Sequence, residues 1–190
     1  MATLTWRSPD KPNSIFDFDQ FVDGEYLIQP KRDGYRAVIE FYEDEITAWS
    51  RHHKPLAISD RIIDALLEMD VPPGTALDGE WLKHRTEGPE QITIFGLLYW
   101  KGKWMGRKAE EERFEIVKDL TYPEPIFLTN WDLVNYEEFF QKTKDDPANE
   151  GVVLKHLWSE LVGGRDESKK NPMWFKRKWR AGCDGQHVID

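Results

Sequence analysis

Lys31-Arg32-Asp33-Gly34-Tyr35-Arg36 follows directly on Tyr26-Leu27-Ile28-Gln29-Pro30, a strand-like run. With each residue type at about one in twenty, K-x-D-G-x-R arises by chance in a chain of this length roughly once in a thousand. The Asp-Gly pair alone reads as a solvated turn between two strands. The lysine at the strand end is also a candidate nucleophile, provided that its ammonium sheds a proton. A free lysine, with a pKa of about 10.4, is almost wholly charged at neutral pH. Neighbouring cations, a metal ion and partial burial favour the neutral amine. The functional reading therefore requires further cations and carboxylates elsewhere in the chain.

They are present. Leu77-Asp78-Gly79-Glu80-Trp81 supplies a carboxylate at a strand end, and Glu150-Gly151-Val152-Val153-Leu154-Lys155 supplies another just before a strand. Trp174-Phe175-Lys176-Arg177-Lys178 sets Lys176 and Lys178 two apart, on one face of a β-strand. Two point charges on one face suit a phosphate. Taken singly, each element also reads as plain structure: Glu80 as a rim carboxylate, Glu150 as a turn residue, the lysines as an edge that discourages aggregation. Their joint occurrence in one short chain favours a site.

Working outward, residues 37–42 and 46–49 flank the acidic turn Glu43-Asp44-Glu45 and read as a hairpin. Residues 58–69 place Ile58, Ile62, Ile63, Leu66 and Leu67 on one helical face, with Ser59 as N-cap. Val71-Pro72-Pro73-Gly74 ends that helix. Residues 75–82 and 91–100 read as strands, 109–120 as a helix, and a further helix follows Asn135, which stands at capping-box spacing from Glu138. Strands return at 151–157 and 173–179, separated by a mobile loop over 162–172. The irregular alternation predicts an α+β fold with antiparallel sheets flanked by helices, rather than a doubly wound parallel sheet.

The chain has 190 residues and a mass of 22.4 kDa, which suits one domain. Hydrophobic residues at 39% and charged residues at 32% predict a globule with a real core, and the nine tryptophans, a high number for this length, are of the kind that buried aromatics usually explain. The net charge of −9 excludes a protein that grips nucleic acid by bulk positive charge. Residues 165–180 nevertheless hold seven Lys and Arg against two acids, a basic segment where phosphate chemistry is expected. Cys183, the single cysteine, excludes an internal disulfide and a cysteine zinc finger. The histidines at 52, 53, 84, 156 and 187 form no H-x-x-x-H pair, and neither a Walker-type phosphate loop nor G-x-G-x-x-G occurs. The polar N-terminus has no signal-like apolar region, and the longest apolar run, around Phe95–Trp100, spans only about eight residues, too few to cross a bilayer. A cytoplasmic, reducing compartment and no membrane partner are expected.

The ordered set resembles the covalent nucleotidyltransferases, and most closely the ATP-dependent DNA ligases. KRDGYR is similar to their motif I, Ser50-Arg51 to motif Ia, LDGEW to motif III, Thr93-Ile94-Phe95-Gly96-Leu97-Leu98 to motif IIIa, EGVVLK to motif IV and WFKRK to motif V. The charged helix around Glu111-Glu112-Arg113 also has its counterpart in such ligases. The resemblance covers roughly residues 25 to 180. It implies a ligase nucleotidyltransferase domain of ATP-grasp-like fold over residues 1–190, with 181–190 as a short tail where an OB domain normally begins. It implies ATP and Mg2+ as cofactors and nicked duplex DNA, or RNA, as partner, with a separate protein supplying the OB or clamp function. By resemblance, Lys31 forms lysyl-AMP, Asp33 supports the metal or the sealing step, and Glu150 holds the metal. Gln29, Arg36, Glu80, Phe95, Lys176 and Lys178 bind the nucleotide, and Ser50 and Arg51 meet the nucleic acid. Gln29 stands where these ligases usually carry Glu, and Gly96 where they commonly carry Asp. An RNA ligase, a capping-type guanylyltransferase and a non-catalytic end-binding module stay open as alternatives.

Overall fold

The computed structural model describes residues 3–83 and 88–179. Its strands are β1 (Lys11–Ser14), β2 (Tyr26–Arg32), β3 (Tyr35–Phe41), β4 (Ile46–Trp49), β5 (Thr75–Leu82), β6 (Gln91–Trp100), β7 (Lys103–Trp104), β8 (Ile126–Leu128), β9 (Asn149–His156) and β10 (Lys170–Lys178). The helices are α1 (Asp60–Glu68), α2 (Glu110–Lys118) and α3 (Tyr136–Lys142). One sheet runs β1-β10-β9-β2; the other runs β4-β3-β5-β6-β7, with β8 also paired to β6. The α+β fold with mainly antiparallel sheets is as expected. Only β1 on β10 and β8 on β6 are parallel.

Period-two alternation assigns the faces of both sheets. In the smaller sheet Ile28, Val152 and Leu154 turn one way and pack with Phe18, Tyr136 and Phe140. In the larger, Ala37, Ile39, Phe41 and Leu77 pack in one core with Ile62, Ala65 and Leu66 of α1. The remaining faces carry the polar motif residues, and between them lies a cleft lined from both sheets.

Most boundaries follow the sequence reading. Ser59 caps α1, its Oγ accepting the Ile62 N–H at 3.4 Å. Asn135 does not form the expected capping box. It adopts a left-handed backbone, φ 56°, which turns its side chain away from the helix, and Glu138 pairs with Lys142 instead. The reciprocal bond occurs at α2, where the Ala109 N–H donates to Glu112 Oε2 at 3.0 Å. The segment 162–172, expected as a mobile loop, is tied down. Buried Asp10 accepts from the Val162 and Gly163 N–H groups and from Asn171 Nδ2, at 2.7, 2.9 and 2.7 Å, and β10 already begins at Lys170. No helix among the described residues is long and apolar enough to cross a membrane. His84, Arg180, Cys183, His187 and the tail 181–190 lie outside the described residues.

Candidate active site

The pairing register of the smaller sheet composes the cleft floor row by row. Lys31, Gly151 and Lys178 stand side by side across β2, β9 and β10. The next row is Gln29, Val153 and Lys176, and the third is Leu27, Lys155 and Trp174. Alternation therefore delivers Lys176 and Lys178 to one face, as the sequence predicts. Glu150, by parity, belongs on the opposite face. It reaches the floor because β9 bulges there: Lys31 pairs with Gly151 and Arg32 with Asn149, leaving Glu150 as the extra residue. Its Oε1 accepts from Lys31 Nζ and its Oε2 accepts from Lys178 Nζ at 3.0 Å.

The opposing wall repeats the device. Asp78 pairs with Gly96 and Gly79 with Ile94, so Phe95 is the extra residue of a bulge in β6. Phe95 lies 5.0 Å beneath the Arg36 guanidinium, which grips Asp78 in a bidentate pair. Gly96 faces that same carboxylate, and a Cβ there would stand 3.3 Å from Asp78 Cβ. An aspartate at 96 would set two carboxylates against each other.

Glu80 Oε1 accepts the Gly34 N–H at 3.1 Å. Burial pushes its carboxyl up from 4.5 to about 7, with Glu150 adding to the rise and Lys31, Arg36 and the Gly34 N–H opposing it. The folded chain thus keeps this proton at pH values where the unfolded chain has lost it. The resulting stability is full below about pH 4.5 and is lost as pH rises to about 7. Glu80→Gln mimics the protonated group and keeps an acceptor for Gly34. Its melting temperature should sit close to the parent's at pH 4.5 and about 7–14 °C above it at pH 8, read by thermal unfolding without nucleotide.

A cleft of about 320 Å³ is lined by Lys31, Asp33, Arg36, Ser50, Arg51, Glu80 and Glu150, together with Lys11, Arg32, His52 and Ser168. It shares Lys31, Arg32, Arg36 and Glu80 with an inner recess of about 60 Å³ containing Gln29, Phe95, Val153, Lys155 and Trp174. Arg51 is exposed at the mouth, whereas Ser50 Oγ accepts the His52 and Lys54 N–H groups and shapes the turn that presents it. Lys176 and Lys178 share the floor face, but neither is in the lining of either space; Lys178 is buried behind Glu150.

Sequence reasoning missed Lys155 and Asp78. Lys155 is buried, donating to Glu110 Oε1 at 3.3 Å and to the Phe95 carbonyl at 3.2 Å, with its ammonium 4.6 Å from the Trp174 ring. Burial lowers its pKa, against the pull of Glu110. Counting two by two along β9 from Gly151 reaches it, and counting back two from Glu80 reaches Asp78.

No protein-family model matches the chain. The ligase domain of M. tuberculosis LigD superposes with a TM-score of 0.67 at 15% identity, covering 90% of this chain and 59% of that one. The fold is that of a DNA ligase nucleotidyltransferase domain. A mycobacterial DNA ligase D complexed with ATP and MES shares this ligase fold, with a TM-score of 0.66 at 16% identity over 91% of this chain and 61% of that one. In sequence, the chain is similar to the SPbeta prophage-derived DNA ligase-like protein LigB of Bacillus subtilis (strain 168), at 23% identity over 177 residues. That match covers 83% of this chain and 63% of LigB. The chain spans less than two thirds of each of these ligase relatives.

Proposed function

We propose that the chain is the core of an ATP-dependent polynucleotide ligase that seals nicked duplex DNA through a lysyl-AMP intermediate. The observation that carries this reading is Lys31 and Glu150, paired in the lining of a cleft that runs on into the Phe95 recess, with Lys178 bonded to Glu150 from behind. The base enters the recess against Phe95. Gln29 Nε2 donates to the Phe95 carbonyl at 3.5 Å, beside the Lys155 bond to that same oxygen. With its donor end engaged there, Gln29 offers Oε1 to the 6-amino group of adenine, where guanine carries a carbonyl oxygen instead. Glu80 and Arg36 flank the ribose, and Lys176 and Lys178 meet the α-phosphate.

Lys31 Nζ attacks the α-phosphorus once its proton has left. The P–N bond forms as the bond to the bridging oxygen breaks, and pyrophosphate departs. Glu150 Oε1 accepts from Lys31 Nζ and orients it for the attack. AMP then passes to the 5′-phosphate of the nick, near Ser50 and Arg51, and the adjoining 3′-hydroxyl displaces it. Among the described residues no three His, Cys, Asp or Glu side chains form a metal cage. Magnesium binds through one or two carboxylates plus water and phosphates, so the hard oxygens of Glu150 and Asp33 fit it. Bound there, it would offset phosphate charge.

Incubation with α-labelled ATP and magnesium should leave acid-labile label on the protein, competed by ATP and not by GTP. The labelled protein should seal a DNA nick, with an RNA nick as the comparison and a separate clamp protein added where sealing is slow. No label at any pH or metal, or competition by GTP alone, sinks the reading.

A further inference from the structure

We propose that a second cavity, on the hairpin of β3 and β4, is a socket for a guanidinium group. The cavity, of about 460 Å³, is walled by Trp6, Trp49 and Tyr42, with Glu40 inside and Glu43, Asp44 and Glu45 at its rim. Glu40 is only 7% exposed. Its Oε2 accepts from Tyr42 Oη at 2.9 Å, from Trp49 Nε1 at 3.0 Å and from Thr47 Oγ1 at 3.3 Å. Oε1 has no hydrogen-bond donor among the described residues, and no described cation pairs with Glu40 or with the three rim carboxylates. The carboxylate is thus held in place by three neutral donors on one oxygen, while the other oxygen opens on the cavity and is available to a charged donor.

The walls indicate which cation. The His53 imidazole already lies flat on Trp6, with ring centroids 4.2 Å apart and planes 10° apart, and stands 4.7 Å from Trp49. The indole faces therefore accept a planar group. A guanidinium is planar and charged, stacks on indole, and presents parallel N–H donors to a carboxylate; an ammonium offers only a point charge. His53 belongs to the same turn as Ser50, Arg51 and His52, which line the catalytic cleft on its other side. That cleft mixes Lys31, Arg32 and Arg36 with Asp33, Glu80 and Glu150, whereas the charged side chains of the second cavity, Glu40, Glu43, Asp44 and Glu45, are all acidic.

The test titrates the full chain with methylguanidinium, with N-acetyl-arginine amide and its lysine counterpart, and with an arginine-containing hexapeptide, following the Trp6 and Trp49 indole N–H resonances by NMR. Both resonances should shift with the arginine probes, and the lysine counterpart should bind at least tenfold more weakly. Glu40→Gln keeps an acceptor for Tyr42, Trp49 and Thr47 but removes the charge, and should weaken binding at least tenfold. The surface pair Glu43→Gln and Glu45→Gln, which touches no core residue, should weaken it severalfold, and His53→Ala should tighten it by clearing the Trp6 face. Binding of the peptide alone would assign the group to an arginine on a partner protein, and binding of all guanidines alike would assign it to the free group. Equal responses to arginine and lysine, or a response that neither Glu40→Gln nor the surface pair changes, would overturn the proposal.

Discussion

Lys31→Ala is expected to leave no covalent label after incubation with α-labelled ATP and magnesium, a loss of at least about a thousandfold. Neither Lys178 nor Lys155 can substitute. Lys178 is buried and bound to Glu150, and Lys155 lies one recess deeper, held by Glu110 and by the Phe95 carbonyl. The variant should stay folded, because Glu150 keeps Lys178 as a partner. Its melting temperature is the control for that. Supplied with a nick already carrying AMP on its 5′-phosphate, Lys31→Ala should retain measurable sealing, since that step needs no attack by Nζ. Gel analysis of both reactions separates the outcomes. Persisting label would remove Lys31 from the chemistry. Loss of both reactions in a folded protein would mean that Lys31 also organises the cleft.

Gly151→Ala should cost about 3 kcal/mol of stability, at the upper end for overpacking, and lower the melting temperature by roughly 6–12 °C. A Cβ at this position would stand 2.1 Å from the Arg177 carbonyl oxygen and 2.8 Å from Lys178 Cα. Both are backbone atoms of the neighbouring strand, so no side-chain rotation relieves the clash. β9 and β10 must separate in the row where Gly151 sits between Lys31 and Lys178. Covalent labelling should therefore fall along with stability. Gly88→Ala is the matched control, because a Cβ there meets nothing within 4 Å. An unchanged melting temperature for Gly151→Ala would show that the strands yield at little cost.

Strands 75–82 and 91–100 were legible in the sequence because their apolar runs are long and bounded by Pro, Gly and polar residues. Helix α1 was legible from its spacing and from Ser59. The motif residues converge because β-alternation, which a reader can count, places Lys176 and Lys178 on one face, and the pairing register of β2, β9 and β10 adds Lys31 to it. Strands β7 and β8, at two and three residues, are too short to show any period. Strand β1 exists through its parallel pairing with β10, more than 150 residues away in the chain, and local sequence carries no sign of that. The anchoring of 162–172 was hidden for the same reason, since it depends on Asp10 far upstream. Neither bulge has a local signature. The counting that found the lysines would have aimed Glu150 away from them.

That last point separates two kinds of change along the chain. At Glu150 and Phe95 a replacement exchanges one reagent for another and leaves the neighbouring ladder bonds as they are. A deletion at either site removes the reagent as well. Without Glu150 the ladder between β2 and β9 would run on regularly, with Gly151 still opposite Lys31 and Asn149 still opposite Arg32, so no neighbour changes face. One residue inserted or deleted away from a bulge does the reverse: every residue beyond it turns over, trading polar floor for apolar core. The cleft can change what it recognises at its two bulges, while the sheets that frame it must keep their register.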